Sequence, residues 1–193
     1  MPRWWPTVLG LLLGLGALYA GLQAGPDKVE GWRLAARWTA RVGFPVFLIT
    51  YSASSIGRLW TTDLTRSVWR NRRWWGLGFA AAHTVHLVAL WTFLKVSGDT
   101  RPLPVFLVAG TGYALMYLMA LTSTEESMRV LGRNWKRLHT LGIHWLWGIF
   151  FVSYLGRIGK PETTTTGVIG TALALAALGL RIAAWRKGRA RRG

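Results

Sequence analysis

The chain contains no cysteine, only 7 acidic residues, and few charges of any kind, at 16% of 193 residues. The missing cysteine excludes thiolate catalysis, cysteine-held iron–sulfur clusters, a disulfide framework and any zinc site built on sulfur. A soluble domain carries about 25% charged residues, so the shortage disfavours a soluble enzyme, and the apolar content disfavours a disordered tail. Also missing are an internal repeat, a glycine-rich nucleotide fingerprint between strand and helix, and any polar stretch long enough to fold as a soluble domain.

What is present is apolar and comes in blocks. Hydrophobic residues make up 51% of the chain. A bilayer core of roughly 30 Å needs about 20 mostly apolar residues in a helix. Six blocks meet that length, at about 4–24, 42–60, 74–96, 103–122, 135–156 and 164–185. Backbone groups in lipid must be satisfied within their own segment. The sequence therefore predicts an all-α, six-helix transmembrane bundle forming a single domain over residues 1–193. The second block contains Pro45 and the polar residues Thr50, Tyr51, Ser52, Ser54 and Ser55, which predicts a kinked helix. The first block is longer than a signal-peptide core and opens on Trp4 and Trp5, so it is expected to be a retained helix. Gly10, Gly14 and Gly16 suggest close helix packing there. A turn at 161–166, capped by a threonine, leads into the sixth helix.

The 24 basic residues give a net charge of +17, and they are sorted by side. With the N-terminus inside, sixteen of the 24 fall on the inner face (Arg3, then those within 58–73, 129–137 and 181–192) and eight on the outer. Loops rich in Lys and Arg stay inside, so both termini are expected in the cytoplasm of a multi-pass inner-membrane protein. The same clustering at helix ends, ending in the run 186–192, turns the basicity toward anionic lipid headgroups and away from nucleic acid. Trp74, Trp75, Trp135 and Trp185 at block ends fit interfacial belts.

The four histidines, His83, His86, His139 and His144, fall in or beside only the third and fifth blocks. Ionisable residues inside membrane helices are costly and default to a functional reading. His83 and His86 are three apart and share a helix face; His139 and His144, five apart, diverge by roughly 140°. Four readings are open: axial ligation of a haem iron by one imidazole from each helix, a metal site, a proton relay, and plain hydrogen bonding between helices. A metal site or relay would recruit carboxylates, and no Asp or Glu lies within any block.

Two stretches resemble a known family. Arg72-Arg73-Trp74-Trp75-Gly76-Leu77 with His86-Leu87 is one. Leu121-Thr122-Ser123-Thr124 followed by Leu131-Gly132-Arg133-Asn134-Trp135-Lys136-Arg137-Leu138-His139 is the more specific. Together they resemble the ferric-reductase-like transmembrane family, and within it the haem-binding membrane subunits of bacterial methionine sulfoxide reductase systems, over roughly residues 40–160. The resemblance implies b-type haem, a multi-pass fold and transmembrane electron transfer within an oxidoreductase system. With no room for a flavin or nicotinamide domain, a separate flavoprotein, a bound flavin or a quinol is expected as donor, and a separate acceptor, periplasmic in those relatives. The family has a further histidine 13 residues after the one matching His139; here Val152 stands there. Where two-haem members pair histidines on the third helix, this chain has Asp99 and Thr100.

Depth along the helices selects among the histidines. Measured from Trp74 and Trp135, His86 lies roughly 18 Å in, His83 and His144 roughly 13–14 Å, and His139 roughly 6 Å at 1.5 Å per residue. One haem is expected, ligated by His144 and by His86 or His83. His139 would then meet a propionate or a donor, although the motif keeps it as a rival ligand. Arg72, Arg73, Arg133, Lys136 and Arg137 flank the inner ends of the same helices. They would suit haem propionates or the phosphate of a flavin, or they serve only as positive-inside charge. A haem-free scaffold or small-solute carrier with the family fold is the alternative function.

Overall fold

A computed structural model describes residues 3–190; Arg191 and Arg192 of the terminal basic run lie outside the described residues. Every regular element among them is helical: α1 (Trp5–Ala24), α2 (Lys28–Leu59), α3 (Asp63–Arg70), α4 (Arg72–Ser97), α5 (Leu103–Leu121), α6 (Glu125–Leu131), α7 (Arg133–Leu155) and α8 (Thr164–Ala190), the last entered through a 3-10 turn at Pro161–Thr163. Five stretches are long and apolar enough to cross a membrane: α1, α4, α5, α7, and α8 with its 3-10 turn. They match five of the six expected blocks. The remaining one, the second block at 42–60, coincides with the later part of α2, which ends at Leu59 and starts fourteen residues earlier than expected.

The early part of α2 is polar, which is why it reads as a loop in sequence. Asp27 Oδ1 accepts the Glu30 N–H at 2.9 Å, an N-terminal cap. Glu30 pairs with Arg33 one turn on, and that guanidinium holds the Glu30 carboxyl below its usual range. The helix then runs unbroken through Pro45, whose missing N–H leaves the Arg41 carbonyl without its usual helical partner.

The chain forms two compact units, Met1–Thr50 with Arg70–Leu103, and Tyr51–Trp69 with Pro104–Gly193. In the first, α1 lies along α4 with backbone against backbone. A Cβ on Gly10 would strike the Gly78 carbonyl, and one on Gly14 would sit 3.2 Å from the Ala82 Cα. Glycine is needed there because lipid gives helices no hydrophobic reason to associate, so close van der Waals approach must do it. Gly16 faces open space, so that member of the expected trio does not pack. Thr7 Oγ1 donates to the Trp74 carbonyl at 3.1 Å, and Trp5 meets Trp75 edge-on at 5.2 Å. Ala35, Ala36 and Ala89 form a small buried core under Leu18, Leu22, Trp32, Leu90 and Phe93.

In the second unit, α8 offers a seam of small residues to α7. Tyr154 lies over Gly170, and Trp147 Nε1 donates to the Ala174 carbonyl at 2.9 Å. The threonine cap expected before α8 takes another form. Thr163 and Thr164 donate their hydroxyls back to the carbonyls of Arg157, Ile158 and Lys160, closing the turn from the loop side. Large apolar side chains such as Leu12, Leu103, Leu107, Val152 and Ile169 point outward, as a lipid-facing surface requires.

Candidate haem-ligand histidines

A haem iron is ligated by neutral imidazole, and which ring nitrogen is bare depends on what the other one bonds. His144 is the simplest case. Its Nδ1 lies 2.7 Å from the Thr140 carbonyl one turn back on α7. A carbonyl only accepts, so Nδ1 carries the proton and Nε2 keeps its lone pair.

His86 reaches the same tautomer by another route. Its Nδ1 is 3.1 Å from Thr39 Oγ1 on α2. The Thr39 hydroxyl spends its single proton on the Ala35 carbonyl at 2.7 Å, with the Ala36 carbonyl at 3.1 Å. The oxygen is left to accept, so His86 Nδ1 donates. Thr39 is fully buried, and its serine-like back-bond along the helix fixes the hydroxyl's direction.

His139 is held the opposite way round. Its Nε2 lies 3.2 Å from Thr122 Oγ1, and that hydroxyl donates to the Leu118 carbonyl at 2.7 Å. His139 Nε2 is therefore the donor. Trp135 stacks on the ring at 4.0 Å and gives its own Nε1–H to the Thr122 carbonyl at 2.8 Å. The two halves of the second motif stretch thus meet: the end of α5 and the first turns of α7 form one hydrogen-bonded joint. Between them Gly132, at φ +49°, makes the positive-φ turn that lets α6 run into α7, and Thr124 caps α6 through the Ser127 N–H at 3.0 Å.

His83 is buried in the first unit, 4.4 Å from the Phe79 ring and 5.3 Å from the His86 ring. Its Nδ1 and Cε1 edge fits against Gly43, where a Cβ would stand 2.5 Å away. Arg72 and Arg73 are exposed at the start of α4, with the Arg73 guanidinium 5.1 Å over the neighbouring Trp74 ring. Arg133, Lys136 and Arg137 are exposed on the first turns of α7. Among the described residues no group of three or more His, Cys, Asp or Glu could hold a metal ion. Side chains arranged this way would suit a cofactor that brings most of its own ligands. Taken singly, His86 in the first unit and His144 in the second each offer the type of donor a haem iron takes, the porphyrin itself supplying four nitrogens.

Comparison with known proteins gives the chain several relatives that share one name. A protein-methionine-sulfoxide reductase heme-binding subunit, MsrQ, from Bordetella pertussis is 30% identical over 188 residues, covering 89% of this chain and 82% of that one. The chain belongs to the MsrQ family. The MsrQ of Cronobacter sakazakii is 26% identical over 75% of this chain and 78% of its own length. That of Klebsiella pneumoniae is 29% identical over 60% and 63%. No family model and no solved structure matches the chain.

Sequence reasoning located the histidines of this MsrQ-family chain but missed Thr39, Thr122 and Thr140, which set their tautomers. The 135/139 spacing and the Thr122 of the motif carried a readable signal for one of these contacts. Nothing local to α4 points to Thr39, which lies 47 residues before its partner.

Proposed function

We propose that the chain binds one b-type haem with His86 and His144 as axial ligands. On this reading it passes single electrons, as the membrane subunit of a protein-methionine-sulfoxide reductase, between a separate donor and a separate acceptor. When bound, the haem supplies one-electron chemistry. The chain supplies two imidazoles in the right tautomer, an apolar surrounding that sets the potential, and a location in the bilayer. The observation that carries the reading is the oxygen partner on each Nδ1, Thr39 Oγ1 for His86 and the Thr140 carbonyl for His144, which favours a bare Nε2 on both rings. The family relationship supports it, because the relatives are named as heme-binding subunits.

The whole chain acts as one ferric-reductase-like transmembrane domain of six spans in the inner membrane, with α2 as the sixth and both termini in the cytoplasm. The argument for the sixth span is length: α2's 32 residues extend about 48 Å, enough to cross despite its polar start. Exposed Arg72, Arg73, Arg133, Lys136 and Arg137 face the inner leaflet, where propionates, a flavin phosphate or lipid headgroups would meet them. The donor is a flavoprotein or a quinol and the acceptor is periplasmic.

A second reading replaces His144 by His139, which the motif favours. Purified full-length protein separates the two. Dithionite should produce a reduced Soret and α band, lost in His86→Ala and in His144→Ala and retained in His139→Ala and His83→Ala. Loss in His139→Ala with retention in His144→Ala would transfer the ligand role. A folded, colourless wild-type protein from haem-replete cells would leave a haem-free scaffold or carrier.

A further inference from the structure

An arginine lies close to one of these histidines, and no carboxylate accompanies it. Tyr51, on α2, is fully buried, and its ring meets the His144 ring at 5.8 Å and 78°. The Arg181 guanidinium of α8 rests over the same tyrosine, with Cζ 4.5 Å from the ring centroid, and Nη1 donates to the Tyr51 carbonyl at 2.9 Å. An arginine near the end of a span ordinarily reaches out toward headgroups. This one is turned onto an aromatic face and a helix carbonyl instead. Arg181 forms no ion pair with an acidic side chain among the described residues. Arg58 adds a second positive charge in its surroundings.

We propose that Arg181 is a positioning charge that sets the reduction potential of the haem held by His144, with Tyr51 as the platform that keeps the guanidinium near the ligand. The inference rests on His144 being an axial ligand. The two ring-centred distances laid end to end put Cζ within about 10 Å of the imidazole. Ferric b-type haem carries one more positive charge than ferrous haem. A fixed cation at that range, in a medium of low dielectric and little salt screening, disfavours the oxidised form. Keeping an ionised side chain in a span is costly, and the cost is explained if the charge has this use.

The test is a spectroelectrochemical titration of the haem-loaded, full-length chain in nanodiscs. In Arg181→Gln, poised at the wild-type midpoint, the ratio of oxidised to reduced haem should rise roughly tenfold, equivalent to 59 mV for a one-electron couple. Haem content and band positions should stay as in the wild type. Arg181→Lys, which keeps the charge, should remain within about twofold of the wild type. Arg181→Gln titrating within twofold of the wild type would overturn the proposal, and so would Arg181→Lys shifting as far as Arg181→Gln. If Arg181→Gln does not accumulate, Tyr51→Leu carries the test. Releasing the guanidinium should shift the ratio at least threefold in the same direction, and an unchanged ratio would refute the proposal. Failure of the ligand assignment is separately visible, as full haem content and an unaltered spectrum in His144→Ala.

Discussion

Replacing Thr39 by valine removes one hydroxyl and leaves the shape of the side chain almost unchanged. The hydroxyl is fully buried and serves three partners: the carbonyls of Ala35 and Ala36, and His86 Nδ1 at 3.1 Å. The two carbonyls keep their helical partners, so little is lost on that side. On the histidine side a buried donor would face a methyl group, which costs about 1–3 kcal/mol if nothing replaces the oxygen. The hydroxyl and the neutral imidazole carry no charge, so the lower end applies. Removal of such an outer partner typically weakens a metal-ligand site by 10- to 100-fold. Thr39→Val is therefore expected to bind haem about tenfold more weakly, close to 1.4 kcal/mol. Thr39→Ser keeps the oxygen and should bind within about threefold of the wild type. The assay is titration of haem into the apo form of the full-length chain in detergent, followed at the Soret band. Equal affinity and an identical spectrum for Thr39→Val and wild type would refute the claim that this hydroxyl holds the ligand's tautomer.

Gly10→Ala should destabilise the chain by about 1–3 kcal/mol, because its Cβ meets backbone that cannot rotate away, whereas Gly16→Ala in open space should be neutral or stabilising; thermal unfolding in detergent compares them. Gly43→Ala should also lower the unfolding temperature, by pushing the His83 ring against Phe79, yet leave haem stoichiometry unchanged; loss of haem there would make His83 a ligand. Reporter fusions at each end should both register as cytoplasmic, and a periplasmic signal from either one would remove the six-span topology.

The membrane helices were legible because an apolar run of about 20 residues has few other uses. The start of α2 was not, because Lys28, Glu30, Arg33 and Arg37 mask the narrow buried stripe of Ala35, Ala36 and Thr39. That stripe consists of small residues, which carry almost no hydropathy signal even where they pack. The short helices α3 and α6 escaped for a related reason: a single turn or two between spans has too little periodicity to register. At the site, residue type and span gave the four histidines. Their protonation states needed the threonines opposite, and for His86 that partner sits in the segment the sequence disguises as a loop. Of the glycines singled out in α1, Gly10 and Gly14 pack and Gly16 does not, while Gly21, which also packs, was not singled out, since composition records smallness without saying which side of the helix it faces.

The backbone contact between α1 and α4 also bears on how the molecule is made. Gly10 leaves the ribosome about 70 residues before Gly78, a delay of roughly 3–14 s at ordinary rates of translation. Through that interval the first helix waits in the bilayer with Gly10 and Gly14 unmated. Nothing in α2 or α3 can substitute at Gly10 and Gly14, because the fit is to the backbone of a helix not yet synthesised. Biogenesis therefore includes a period in which the insertion machinery or the surrounding lipid must shelter an incomplete pair. Variants that merely slow elongation between codons 25 and 78 should then lose yield without any change in the finished protein.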